Sequence, residues 1–211
     1  DGQQTINNSA AINITGGDSY GIISYGSSSS LAKINNSGDI SVNVSGSSDL
    51  SAGIFHQSQT PFTNTGNIDV VSTGTNSSGL AGIVLSNGAV FTNDGMNVKE
   101  ISASGEKATG VFANANTTNT IKNTKIVAST EGIGIFSYNG SDVKLENITG
   151  EASAGGVLFY ASATPTASKI TFTTPSAVDI KSNGIAFYLD GSLSLLSSYY
   201  VNLNNLTLKM E

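Results

Sequence analysis

Apolar and polar residues alternate along this chain in short bursts that return at a nearly constant distance. The stretch "FTNTG" at Phe62–Gly66 comes back as "FTNDG" at Phe91–Gly95, 29 residues later. Both belong to a column in which an apolar residue stands two places before Asn: Ile6 and Asn8, Ile34 and Asn36, Phe62 and Asn64, Phe91 and Asn93, Ile121 and Asn123, Leu145 and Asn147. Successive Asn are 28, 28, 29, 30 and 24 residues apart, and weaker members follow at Phe172 with Thr174 and Leu203 with Asn205. At four and six places after the Asn come Ile12 and Ile14, Ile40 and Val42, Ile68 and Val70, and again Val178 and Ile180 in the seventh repeat. A period of two is the mark of a strand with one buried face and does not suit a helix.

A second column lies between the Asn positions. Gly precedes Ile or Val at Gly21, Gly53, Gly82, Gly110, Gly134, Gly156 and Gly184, as in "GIISYG" and "GIVLSNG". Each reads as a further strand flanked by turn residues. The run "GIGIF" offers two registers, and aligning "GIFSYNG" with "GIISYG" selects Gly134.

Two strands with their turns, plus a third and less regular strand, fill one coil of a parallel β-helix. The expected fold is therefore all-β: a right-handed, single-stranded parallel β-helix of about seven coils of 24–31 residues, with residues 1–211 as a single segment. Rungs about 4.8 Å apart give a rod of roughly 34 Å. The start has neither a basic region nor an apolar stretch, and the chain stops within an eighth coil, so a segment excised from a longer protein is expected.

Stacking places each column residue above its equivalent. Asn8, Asn36, Asn64, Asn93, Asn123 and Asn147 are expected to form a structural ladder, their amides bonding local backbone and one another, and not a ligand strip. The apolar residue two places earlier faces the same side as each Asn, which argues for burial. Four residues after each column Gly stand Tyr25, Gln57, Ser86, Asn114, Tyr138, Tyr160 and Tyr188. Tyr138, Tyr160 and Tyr188 fall in consecutive coils. They are either an exposed strip able to hold a sugar or protein partner, or a stacking ladder that protects a turn.

Composition narrows the chemistry. Hydrophobic residues make up 38% and charged residues only 11%, with 24 Gly, which suits a core reached by many short turns. The net charge of −6 and the absence of Arg argue against nucleic acid as a partner. There is no Cys, so no disulfide or thiol site exists. The one histidine, His56, shares its column with Ser24, Leu85, Ala113, Ser137, Phe159 and Phe187, and reads as packed or solvent-facing, not catalytic. Asp39 and Asp69 sit at different offsets from their Asn, so they do not face one another across a rung. "NID" at Asn67–Asp69 is one fragment of a polygalacturonase motif whose other parts are missing, and no calcium-binding nonapeptide repeat is present. No catalytic residue, metal site or cofactor is expected.

The alternation of "INNSGDISVNV" and "FTNTGNIDVV" with "GIISYGSS" and "GIVLSNG" resembles the passenger domains of type V autotransporters, in particular the large outer-membrane adhesins of Gram-negative bacteria. The resemblance is one of repeat style and runs from Ile6 to Leu208. It implies a β-helical passenger exposed at the bacterial surface or secreted, carried by a translocator barrel that is not part of this sequence. It also implies an adhesive role toward host-cell or bacterial surface proteins or glycans. A polysaccharide-degrading β-helix and a receptor-binding segment of an autotransporter toxin are the alternatives.

Overall fold

The computed structural model describes residues 4–25, 32–46, 50–74, 79–93, 100–115, 117–163, 166–191 and 200–211, with backbone only at 25, 32 and 200–202. The chain winds as a parallel β-solenoid with three strands per coil. The first coil is β1 (Gln4–Asn8), β2 (Ile12–Ile14) and β3 (Tyr20–Tyr25); the second is β4 (Ala32–Asn36), β5 (Ile40–Val44) and β6 (Ser51–Gln57). The third holds β7 (Pro61–Asn64), β8 (Ile68–Ser72) and β9 (Leu80–Ser86), and the fourth β10 (Val90–Asn93), β11 (Glu100–Ser104) and β12 (Ala108–Ala113). In the fifth and sixth, single long strands serve two arms: β13 (Thr118–Ser129) with β14 (Ile133–Ser137), then β15 (Asp142–Ala152) with β16 (Val157–Ser162). The seventh is β17 (Lys169–Phe172), β18 (Ser176–Ile180) and β19 (Ile185–Asp190), followed by β20 (Tyr200–Asn202) and β21 (Leu206–Met210).

Third-arm strands form a seven-stranded sheet in the order β19-β16-β14-β12-β9-β6-β3. The first and second arms are joined through β13 and β15 into one sheet of fourteen strands. The less regular strand expected in each coil is the arm that ends at the Asn in the early coils, and it is as regular as the others. Its interior column runs Ile6, Ile34, Phe62, Phe91, Ile121, Leu145, Phe172 in unbroken parallel register.

Three further columns fill the interior: Ile12 to Ile126, Ile14 to Ile180, and Ile22, Ile54, Ile83, Val111, Ile135, Phe159, Phe187. Nearly all are fully buried within one continuous core. At about 1.5–3 kcal/mol for each fully buried large side chain, such stacking holds together a rod that has no crosslink.

The corner between the first two arms is built in two ways. In the early coils the chain turns through three residues after Asn8, Asn36 or Asn64 before the next strand. In β13 and β15 it bends at a single residue, Asn123 (φ 51) or Asn147 (φ 53). Asn tolerates this left-handed conformation better than other side chains. The bend moves the inward phase from Asn119 and Ile121 to Thr124 and Ile126, so the buried set switches parity at one bulge-like residue.

The glycine column departs from the expected register. Gly21, Gly53, Gly82, Gly110 and Gly134 stack, each where a Cβ would lie 2.2–2.7 Å from an Ile Cγ2 of the second arm. Gly156 and Gly184 are two residues away from that column. The register sets Ile133 beside Val157 and Ile135 beside Phe159, which puts Gly134 against Leu158. A Cβ on Gly132, Gly156 or Gly184 would strike backbone carbonyls of the second arm. Both registers of "GIGIF" are therefore used: Gly134 closes one column and Gly132 opens the other.

Candidate functional site

The two sheets differ in charge. The seven strands of the third arm carry a single carboxylate, Asp190, and one histidine, His56. The fourteen-stranded sheet carries the ion pairs Lys122–Glu146 (2.8 Å), Lys125–Glu100 (2.9 Å) and Lys181–Glu151 (2.8 Å). These pairs are partly solvated and add little stability. What matters is their location, which leaves the outer face of the seven-stranded sheet apolar.

Two outward columns make that face. One runs Tyr20, Ala52, Ala81, Thr109, Ile133, Val157, Ile185 and the other Ile23, Phe55, Val84, Phe112, Phe136, Tyr160, Tyr188. Rings in the second column touch from rung to rung, with centroids 5.3 Å apart for Phe112–Phe136, 4.5 Å for Phe136–Tyr160 and 5.0 Å for Tyr160–Tyr188. The Phe136 and Tyr160 planes are 18° apart, so their faces cover one another. Tyr160 O–H donates to the Asp190 carboxylate at 3.0 Å.

An open groove of about 450 Å³ lies beside this ladder. Phe112, Phe136 and Tyr160 line one side, Leu50 and Lys107 the other, with Ala81, Thr109 and Ile133 between. Toward the first coils Ala52, Ala81 and Val84 are covered by Leu50, Phe55 and Phe112 as a small second cluster. Exposure is greatest at the ends, at Tyr20 (37%), Ile23 (45%) and Tyr188 (48%).

Of the three tyrosines expected to share a strip, Tyr160 and Tyr188 are in this column and Tyr138 is not. Ser137 pairs with Ala161, so Tyr138 falls one column over and flanks the ladder, 6.0 Å from Phe112 and 5.7 Å from Phe136. The cause is the two-residue glycine shift: an offset of four from Gly156 and Gly184 equals an offset of two from Gly134. Counted from the true column, Ile23, Phe55, Val84, Phe112 and Phe136 belong to the strip. Their signal was an apolar residue two places after the column Gly in strands without charge. The side chain of Tyr25 lies outside the described residues.

The asparagines form two runs. Asn8 Nδ2 donates to Asn36 Oδ1 (2.7 Å), Asn36 to Asn64 (2.7 Å) and Asn64 to Asn93 (3.1 Å). The second proton of each amide goes to a turn carbonyl, of Ala10, Gly38 and Gly66 respectively. Asn36, Asn64 and Asn93 are buried. Asn123 and Asn147 are exposed at the left-handed corner, and there Asn147 Nδ2 donates back to Asn123 Oδ1 at 3.0 Å. Both amide protons of Asn36 and Asn64 and the Oδ1 atoms of Asn36, Asn64 and Asn93 are engaged inside the protein, which fits a structural ladder better than a ligand strip.

His56 is fully buried, facing Ser24 and Leu85 on adjacent rungs. Its later column neighbours are Ala113, Ser137 and Ala161, so Phe159 and Phe187 are not its equivalents. Asp69 is exposed and accepts from Ser102 Oγ. Among the described residues no group of three or more His, Asp or Glu is placed to hold a metal ion. No family model, curated protein or solved structure matches this chain.

Proposed function

We propose that this chain is a segment of a bacterial surface adhesin, a rigid β-helical rod that displays a binding strip for a host or bacterial surface partner. The observation that carries it is the aromatic ladder along the outer face of the seven-stranded sheet, built from uncharged side chains, with its groove on the same side. A partly exposed apolar strip of this kind, opening to solvent at Tyr188 and along the groove, is a common mark of an interaction surface. The repeat phrases that resemble autotransporter passengers support display at the outer membrane or in secreted form.

A protein fits the ladder better than a glycan. A sugar ring needs an open aromatic face, and the Phe136 and Tyr160 faces are stacked on one another. Ring edges and a groove floored by Ala81, Thr109 and Ile133 suit apolar side chains of a partner.

Beads coated with the protein are expected to attach to host or bacterial cells, and the triple variant Phe136→Ser, Tyr160→Ser, Tyr188→Ser to lose at least about tenfold of that attachment, the effect of ~1.4 kcal/mol or more at a hot spot. Changing Asn7 and Asn35 to Ser, on the outside of the first arm, is the control. Equal loss in the control, or undiminished attachment of the triple variant, rejects the strip. Failure of the unmodified protein to attach to any cell makes the segment a spacer.

A further inference from the structure

Among the described residues the interior holds a single titratable side chain. His56 is the only histidine in the chain, and its side chain is 0% exposed. Its Nε2 lies 2.9 Å from the Thr60 carbonyl. A carbonyl only accepts, so Nε2 carries the proton and Nδ1 is left with a bare lone pair. Among the described residues Nδ1 has no hydrogen-bond partner, and neither has the buried Ser24 Oγ on the adjacent rung.

Among the described residues nothing around the ring offers a positive charge a partner. Leu85 stands on the other adjacent rung, the Phe62 ring is 5.8 Å away, and Ser58 Oγ and Thr60 Oγ1 are bonded to each other at 2.8 Å. Strands β2, β3, β5, β7 and β9 contain no charged residue. The charged residues in the strands of the first three coils, Lys33 of β4 and Asp69 of β8, alternate with inward-facing Ile34, Ile68 and Val70 and so are on the outer wall, Asp69 exposed and bonded to Ser102. An imidazolium here would be buried without a counter-ion, a state a protein avoids by opening.

We propose that His56 is an acid-sensitive rung: uptake of one proton at Nδ1 opens the first three coils of the rod while the coils from β14 onward remain closed. Each coil touches only its neighbours, so opening can be confined in this way. Burial lowers the His56 pKa from its usual 6.5, opposed by the bond to Thr60. The opened chain therefore binds the proton more readily than the closed one. Stability from this group is complete above about pH 6.5 and is lost as pH falls below that value toward the folded pKa.

The test compares the intact chain with His56→Leu, which takes the residue found one rung away at Leu85. Hydrogen exchange, corrected for its intrinsic pH dependence, is followed in β3, β6 and β9 and in β14 and β16 at pH 7.5, 6.5 and 5.5. Protection of the first set is expected to fall up to about tenfold from pH 7.5 to 5.5, the limit for one proton, while the second set holds and the variant is flat. An unchanged wild type, an equal fall in both sets, or the same fall in the variant overturns the proposal. Should the variant not fold, nuclear magnetic resonance of the single imidazole decides. A ring still neutral and protonated at Nε2 at pH 6 supports the proposal, and titration near 6.5 with the fold intact overturns it.

Discussion

Replacing Phe91 with alanine is expected to destabilise the middle of the rod by about 3–5 kcal/mol, the usual range for truncating a buried Phe. The side chain is 0% exposed, its ring is 5.0 Å from that of Phe62 one rung away, and Ile121 follows on the next rung. Neither neighbour can fill the void, because each is held in register by the backbone ladder of its own strand. In urea the loss should appear as a lower midpoint, and hydrogen exchange should speed up first in β7, β10 and β13. Leu203→Ala, at a side chain 47% exposed, should cost under about 1 kcal/mol. A Phe91→Ala chain within about 1 kcal/mol of the parent would contradict the stacked core.

The second large effect is expected at Asn64. Its amide donates to the Gly66 carbonyl (2.6 Å) and to Asn93 (3.1 Å) and accepts from Asn36 (2.7 Å), all in a buried setting. Asn64→Ala removes three bonds and takes a partner from the Asn36 donor, the Gly66 carbonyl and Asn93 Oδ1, at about 1–3 kcal/mol for each such group. These costs overlap, and a total of about 2–4 kcal/mol is expected in thermal or urea melts. The exposed Asn147 serves as the contrast. There Asn147→Gly should be nearly neutral, since Gly enters the φ 53 conformation freely, and Asn147→Ala should cost about 1–2 kcal/mol. Equal losses at Asn64→Ala and Asn147→Ala would mean that the buried and exposed runs do the same work.

The coil was legible in the sequence because each stacked column repeats one chemical demand per rung. An apolar residue two places before Asn was enough to align Ile6 with Leu145 across six rungs, and Phe172 with Thr174 follows in the same register. The glycine column was harder. "GIGIF" contains two glycines with different tasks, Gly132 lying close to the Ala103 carbonyl and Gly134 close to Ile126, and both are followed by Ile. Only the hydrogen-bond register separates them. The error of two residues then passed to the outer face: it brought Tyr138 into the strip and left out Phe112 and Phe136. The burial of His56 follows from simple alternation with the inward Ile54 two places earlier, and was obscured by its polar side chain and by the mixed residue types assigned to its column.

Winding also governs how such a molecule yields to force. The backbone bonds between rungs run along the rod, so a pull on its two ends passes through every rung, but only the outermost coil at each end, held from one side alone, can peel away. Coils are then released one after another, each freeing 24–31 residues of chain, which corresponds to roughly 80–100 Å of slack at about 3.4 Å per residue. Single-molecule stretching should record this as a series of steps of that length and not as one rupture. A tether of this design lengthens under load before it breaks.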